Sequence, residues 1–213
     1  MQRLRLKFSR GEELKFLSHL DLMRLWERAL RRAGMPLVYS EGFTPHPHIA
    51  LAAPLLVGVT SEAELMDISL SRWVSPQSFK AWIEEQLPRG IILLDVWPVG
   101  LNVPSLQSQV KFVDYKVEVE TEKATGEVEA ELESFLSKKE LAWHHHRDTG
   151  ERYYNLRALV ESLRLIDCRN TICTLDMRLR CDEKGAGRPE QVTKALGFTK
   201  HPRYIHRTNI VLD

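Results

Sequence analysis

The sequence is poor in the features that announce a class. No apolar run approaches the ~20 residues that a bilayer-crossing helix needs, which argues against a membrane protein. The first residues, MQRLRLKFSRGEEL, alternate charged and apolar side chains and lack the apolar core of a signal peptide, so the expected location is the cytoplasm. Cysteine is scarce: Cys168, Cys173 and Cys181 are odd in number and lack CxxC spacing, so ordinary thiols are expected rather than a disulfide framework or a cysteine zinc site. No P-loop, GxGxxG, GxSxG or HExxH pattern occurs, which removes the commonest nucleotide, hydrolase and zinc-protease readings. Excess charge is lacking too, because a formal net charge of +1 creates no global field that would draw the chain onto a polyanion.

What is present is local asymmetry. Residues 1–35 hold nine Lys/Arg against four Asp/Glu, residues 178–207 hold eight against three, and residues 118–140 are rich in acid. Two basic patches on a neutral chain suit a localised anionic partner better than nonspecific coating of nucleic acid. A length of 213 residues accommodates two domains, each with its own core.

The most informative stretch is Lys15 to Pro54. Ser18 followed by Asp21 is a helix-start signal, in which a hydroxyl accepts an orphan amide hydrogen bond and a carboxylate meets the positive end of the helix. A helix is predicted from His19 to Ala33, stopped by Gly34 and Pro36. Leu22, Met23, Trp26, Ala29, Leu30 and Ala33 form its apolar face. On the other side Arg24, Arg28 and Arg31 recur at i, i+4 and i+7, with Arg32 adjacent. A row of guanidinium groups favours bidentate binding of phosphate or carboxylate; a solvated helix face is the plainer alternative. The loop that follows, Ser40-Glu41-Gly42-Phe43-Thr44-Pro45-His46-Pro47-His48, is stiffened by prolines on both sides of His46, and in an extended segment His46 and His48 project to one face.

Elsewhere the pattern predicts a strand from Gln2 to Phe8 with Arg3, Arg5 and Lys7 on an outer basic face, a second strand within 37–53 after the arginine helix, a strand over 65–70, a helix over 76–87 and a fourth strand over 91–98. The order β-α-β-β-α-β is that of a ferredoxin-like sandwich. After a linker at 101–108 it repeats, with strands at 110–120, 141–146, 171–180 and 203–212, helices at 127–137 and 189–196, and a segment at 153–166 that fits either state. The expected fold is therefore α+β, two tandem ferredoxin-like (βαββαβ) halves over 1–100 and 109–213 with antiparallel sheets and helices on one face. Trp26, Trp82 and Trp97 sit at core periodicity, and Phe43 is expected to pack inside. Arg203, His206 and Arg207 form a second cationic cluster. The tract His144-His145-His146 suits a solvated strand end better than a metal site, because neighbours on a strand face opposite sides.

The run FLSHLDLMRLWERALRRAGMPLVYSEGFTPHPHIALAAPLLVGVTSEAELMDI resembles the opening signature of the radical SAM-linked protein family, a bacterial domain encoded beside or fused to a radical SAM protein. NLRALVESL, GRPEQVTKALG and HRTNIVL resemble later motifs of that family, so the likeness runs through the chain. The resemblance implies a radical SAM enzyme as partner and, from the usual company of ribonuclease and ribosomal-protein genes, an RNA or ribosome context. It supplies no catalytic residue. The CxxxCxxC triplet that would hold a radical SAM cluster is absent, so no cofactor is expected in this chain, and the iron–sulfur cluster and S-adenosylmethionine would belong to the partner.

Three functions follow from these residues. In an RNA-binding or substrate-presenting accessory protein, Arg24, Arg28, Arg31 and Arg32 would contact phosphates or another anion, Tyr39 would stack on an unpaired base, and the loop with Glu41, Gly42, His46 and His48 would orient the ligand. In a metal-independent RNA-processing endonuclease, His46 or His19 would be the general base and Arg28 or Arg31 would stabilise the phosphorane. The third function is an adaptor between proteins, without nucleic acid. His46, His48 and His19 are also the candidate metal ligands, against structural or anion-contacting roles for the same imidazoles.

Overall fold

A computed structural model describes residues 1–147 and 150–213, with the backbone alone for 145–147 and 152. The chain divides into two compact units, residues 1–110 with 212–213 and residues 111–211. Both are mixed α+β with mostly antiparallel sheet.

The first unit contains β1 (Gln2–Arg10), α1 (His19–Arg32), β2 (Ile49–Leu51), β3 (Thr60–Leu70), α2 (Pro76–Glu84), β4 (Ile91–Val99) and α3 (Leu106–Gln109). Its strands lie in the order β4-β1-β3-β2, each pair antiparallel. Period two on β1 sends Leu4, Leu6 and Phe8 to the helix side, where all three are fully buried with Trp26, Leu30, Phe79 and Ile83. The Trp26 ring meets Phe8 edge-on at 4.8 Å. Trp82 is not a core residue, being 52% exposed: Phe79 and Ile83, four apart, fill the inward stripe of α2 and Trp82 falls beside it. The last turn of the expected 101–108 linker is α3, whose Leu106 is buried.

The opposite face of β1 is not a solvated basic surface. Arg5 is buried and donates from Nε and Nη2 to the two oxygens of Asp67 at 2.7 and 3.0 Å and from Nη1 to Gln109 at 3.4 Å, while Arg3 lies 3.5 Å from the same carboxylate. Alternation identifies a second face but not what covers it. Arg10, fully buried at the end of β1, donates to the carbonyls of Lys15, Leu17, Leu56 and Val59.

The second unit contains most of β5 (Val110–Glu120), then α4 (Thr125–Ser137), β6 (Ala142–Arg147), β7 (Gly150–Asn155), β8 (Val160–Arg169), β9 (Ile172–Asp182), β10 (Gly185–Ala186), α5 (Pro189–Ala195) and β11 (Tyr204–Leu212). The strand order is β11-β5-β9-β8, with the short β10 also on β9. The histidine tract does not join this sheet; it lies on the separate β6–β7 hairpin. His144 stacks on Tyr153 at 4.7 Å and places Nε2 3.2 Å from Glu151, whose carboxyl is held low by the Tyr153 hydroxyl and by His144; the side chains of His145 and His146 lie outside the described residues. The ambiguous 153–166 segment comprises the end of β7, one 3-10 turn at Arg157–Leu159 and the start of β8. The expected cationic cluster near the C-terminus divides, because Arg207 is buried with its guanidinium over the Tyr115 ring and its Nη2 bonded to that hydroxyl, while His206 stacks on Tyr204.

Two of the three cysteines are not free thiols. Cys168 and Cys173 face each other across the β8–β9 hairpin with Cα atoms 4.1 Å apart and are joined by a disulfide, a pairing created by strand register that no local spacing rule detects. Cys181 is free, and burial pushes its thiol above the usual range. A raised folded-state pKa leaves little thiolate near pH 8, so unreduced native protein is expected to take up at most one iodoacetamide, slower than free cysteine and faster as pH rises; mass spectrometry of timed samples reads this directly.

Candidate functional site

The site begins with the capping of α1. The Ser18 hydroxyl oxygen accepts from the Asp21 amide at 3.2 Å, and the hydroxyl donates to Asp21 Oδ2 at 2.6 Å. That bond, aided by the charge of Arg24 3.4 Å away, holds the Asp21 carboxyl below its ordinary pKa. At the other end Gly34 takes φ +66°, and the Met35 amide donates to Leu30 O at 3.0 Å, closing the last turn. Ser18→Ala is expected to lower the stability of this unit by about 1 kcal/mol in urea unfolding, the ordinary worth of an N-cap.

Capping fixes the rotation of α1, with Leu22, Trp26, Ala29 and Leu30 inward, so the arginines face out on two sides. Arg24, Arg28 and Arg32 line a groove of about 510 Å³ against Gln86–Pro88, the residues that follow α2. Arg32 is fixed there, its Nε on Gln86 Oε1 at 3.2 Å and its Nη2 on Gln86 O at 2.7 Å. Arg28 is exposed and, among the described residues, has no carboxylate within ion-pair distance. Arg31 faces the other side: its Nη2 lies 2.7 Å from Glu27, and its guanidinium sits over the Tyr39 ring at 5.7 Å. The Tyr39 hydroxyl and then the Glu27 carboxylate favour the charged form and raise the Arg31 pKa further.

The proline-flanked loop is anchored by backbone. Val38 donates to Ser69 O at 3.0 Å, His48 to Val38 O at 2.8 Å and Ser69 to His48 O at 3.0 Å, while Ser40 and His46 exchange two bonds of 2.8 and 3.0 Å across the neck. Residues 41–45 project beyond that neck, and Gly42 takes a φ of +122° that a side chain would oppose. Phe43 stands fully exposed at the tip. The expectation that it packs inside is corrected: the neck closes at Ser40 and His46 and carries the intervening residues away from the sheet.

The predicted residues therefore separate. Arg24, Arg28 and Arg32 share the groove; Arg31 and Tyr39 join α1 to the base of the loop; Glu41, Gly42, His46 and His48 lie on the exposed loop and do not line the groove. His19 is exposed in the first turn of α1, and among the described residues no three His, Cys, Asp or Glu side chains come together as a metal site. Sequence reasoning missed Gln86, Leu87 and Pro88. The only signal was the stop after α2, QLPRG, which places a chain turn beside a neighbouring helix without saying which one.

A family model described as "Uncharacterized protein conserved in bacteria (DUF2344)" matches residues 3–189. The chain belongs to this bacterial family. No curated protein matches the DUF2344 chain by sequence. Among solved structures it is similar to a chain in "Crystal Structure of a Cbf5-Nop10-Gar1 Complex", with a TM-score of 0.55 and 9% identity over 98% of this chain and 48% of that one. Two others are "Crystal structure of the archaeal box H/ACA sRNP Nop10-Cbf5 complex" at 0.48 and 9%, covering 99% and 48%, and "Structure of H/ACA RNP bound to a substrate RNA containing 2'-deoxyuridine" at 0.49 and 9%, covering 97% and 46%. The DUF2344 chain thus spans about half the length of the chains it matches, and the likeness to the first of them is one of fold. No helix among the described residues is long and apolar enough to cross a membrane.

Proposed function

We propose that this protein is an RNA-binding or substrate-presenting accessory protein that acts beside a radical SAM enzyme in the cytoplasm. The observation that carries the reading is the α1 groove, where Arg28 stands exposed between Arg24 and Arg32 with no carboxylate within ion-pair distance among the described residues. Guanidinium groups in a row suit phosphates spaced along a strand, and Arg32, already held by Gln86, loses little freedom on binding. Arg31 over Tyr39 makes a flat cationic and aromatic surface on which an unpaired base can stack, and Phe43 presents a second ring from the loop tip. RNA is inferred from this chemistry; the fold neighbours contribute the fold. The two strand orders, β4-β1-β3-β2 and β11-β5-β9-β8, support reading each unit as a ferredoxin-like half, the second with the β6–β7 hairpin inserted.

The chain's own cysteines offer no cluster motif, so in this reading the radical chemistry and S-adenosylmethionine reside in the partner. Fluorescence anisotropy with single-stranded and hairpin RNA at several salt concentrations tests the proposal. Binding that weakens with salt and with loss of Arg28 and Arg31 is expected; affinity indifferent to both would replace RNA by a protein partner.

A further inference from the structure

The second unit holds a larger groove, about 600 Å³, between the β6–β7 hairpin and the segment around α5, lined by Trp143, His144, Glu190, Lys194, Phe198 and His201 among others. Three kinds of group line it. Glu190 contributes a carboxylate oxygen, Oε2, that is buried and has no hydrogen-bond donor within reach among the described residues. Trp143 and Phe198 supply aromatic wall, Trp143 half-buried and Phe198 almost wholly so. Lys194 is exposed, and His201 donates from Nδ1 to Pro202 O at 3.0 Å, since a carbonyl can only accept; Nε2 is left as the other polar atom of the ring. The hairpin is held against α5 by the Tyr154 hydroxyl, which donates to Gln191 Oε1 at 2.5 Å, so the wall bearing Trp143 is tied to the helix bearing Glu190.

A simple cation would meet Lys194, and a simple anion would meet Glu190. A ligand that carries paired donors, a flat ring and negative charge on three separate groups satisfies all three. A carboxylate accepts but cannot donate, and it accepts best from two adjacent N–H groups. Guanine is the base whose Watson–Crick edge sets two donors, N1–H and the 2-amino group, side by side; adenine, cytosine and uracil each place an acceptor next to a donor. We infer that this groove binds one guanine nucleotide, with the guanine edge on Glu190, its ring against Trp143 and its phosphate toward Lys194. The inference deepens the RNA reading, in which the nucleotide is an unpaired guanosine of the bound strand.

Isothermal titration of the full chain with GMP, IMP and AMP, and with an oligouridine carrying or lacking one G, tests it. GMP is expected to bind at least about tenfold more tightly than IMP, which lacks the 2-amino donor, or AMP, because a site built to accept two donors is left unsatisfied by either. Glu190→Gln, checked for an unchanged melting curve, should lose that preference, and Lys194→Ala should weaken GMP but not guanosine. GMP no tighter than IMP in the wild type, or the preference surviving in Glu190→Gln, overturns the inference; the first comparison requires no variant. GMP selection without any RNA binding keeps the groove as a mononucleotide site and removes only the RNA reading, whereas equal selection in GMP and in the G-containing oligonucleotide supports both.

Discussion

Arg10→Met is expected to destabilise the first unit by about 3–5 kcal/mol, the usual size of effect when one side of a buried charged network is removed. The guanidinium is completely shielded from solvent, and Nη2 alone reaches Leu56 O at 2.9 Å and Val59 O at 2.8 Å. Other donors serve some of these carbonyls: Gly58 N is 2.7 Å from Lys15 O, and Val59 N is 3.3 Å from Leu56 O. Methionine fills a similar volume but donates nothing, so the carbonyls that depended on Arg10 lose their bonds in a dry place, at roughly 1–3 kcal/mol each. Thermal unfolding followed by circular dichroism should show a fall in Tm of at least about 10 °C, given ~4–8 °C per kcal/mol for a domain of this size. Arg28→Met, an exposed control on α1, should stay within about 0.5 kcal/mol of wild type. Equal melting of the two variants would refute the role given to Arg10. Because the carbonyls of Lys15 and Leu17 belong to the segment leading into α1, the same variant should also loosen the first turn of the helix, which hydrogen exchange at His19 to Leu22 would report.

Arg10 also marks the limit of what the residues disclose by themselves. The α1 helix was legible to within a residue or two, because its signals are local: a serine cap, an aspartate three residues on, an apolar stripe and a glycine at the stop. β1, β4, β5, β9 and β11 were legible from local pattern, β4 by its Ile, Leu and Val content, and β3 only over 65–70. The fate of the charged side of β1 was not. Arg5 is buried because Asp67, 62 positions away, lies beside it, and Arg10 is buried because the segment just after β1 and a distant loop at 56–59 turn their carbonyls inward. The Cys168–Cys173 bond and the buried Arg207 escaped for the same reason, both being set by partners on neighbouring strands. Phe43 escaped for a different one: hydrophobicity predicts burial, but the prolines and the Ser40–His46 neck decide where the loop goes. The arginine row of the candidate site was visible as a helical period, whereas its division into a groove on one side and the Arg31–Tyr39 pair on the other depends on what packs beside α1.

That division makes the charge-reversal experiment specific. Arg28→Glu combined with Arg31→Glu is expected to weaken single-stranded RNA binding about 10–100-fold at physiological salt, since each lost phosphate contact also becomes a repulsion. The folded state should tolerate the change: both side chains are exposed, and the Arg31–Glu27 pair is a surface pair of the kind that contributes at most about 1 kcal/mol. Two lost contacts should lower the slope of log K against log salt by about 1.4, taking ~0.7 per phosphate on single strands. A matched control separates local contact from bulk charge. Lys138→Glu with Lys139→Glu moves the formal net charge by the same four units, from +1 to about −3, at exposed positions after α4 in the other unit. If RNA lies along α1, the arginine variant loses most of its affinity and slope while the lysine variant loses little of either. Equal losses in both would mean that RNA responds only to the overall charge of the protein, and the α1 groove would then have no claim to be its site.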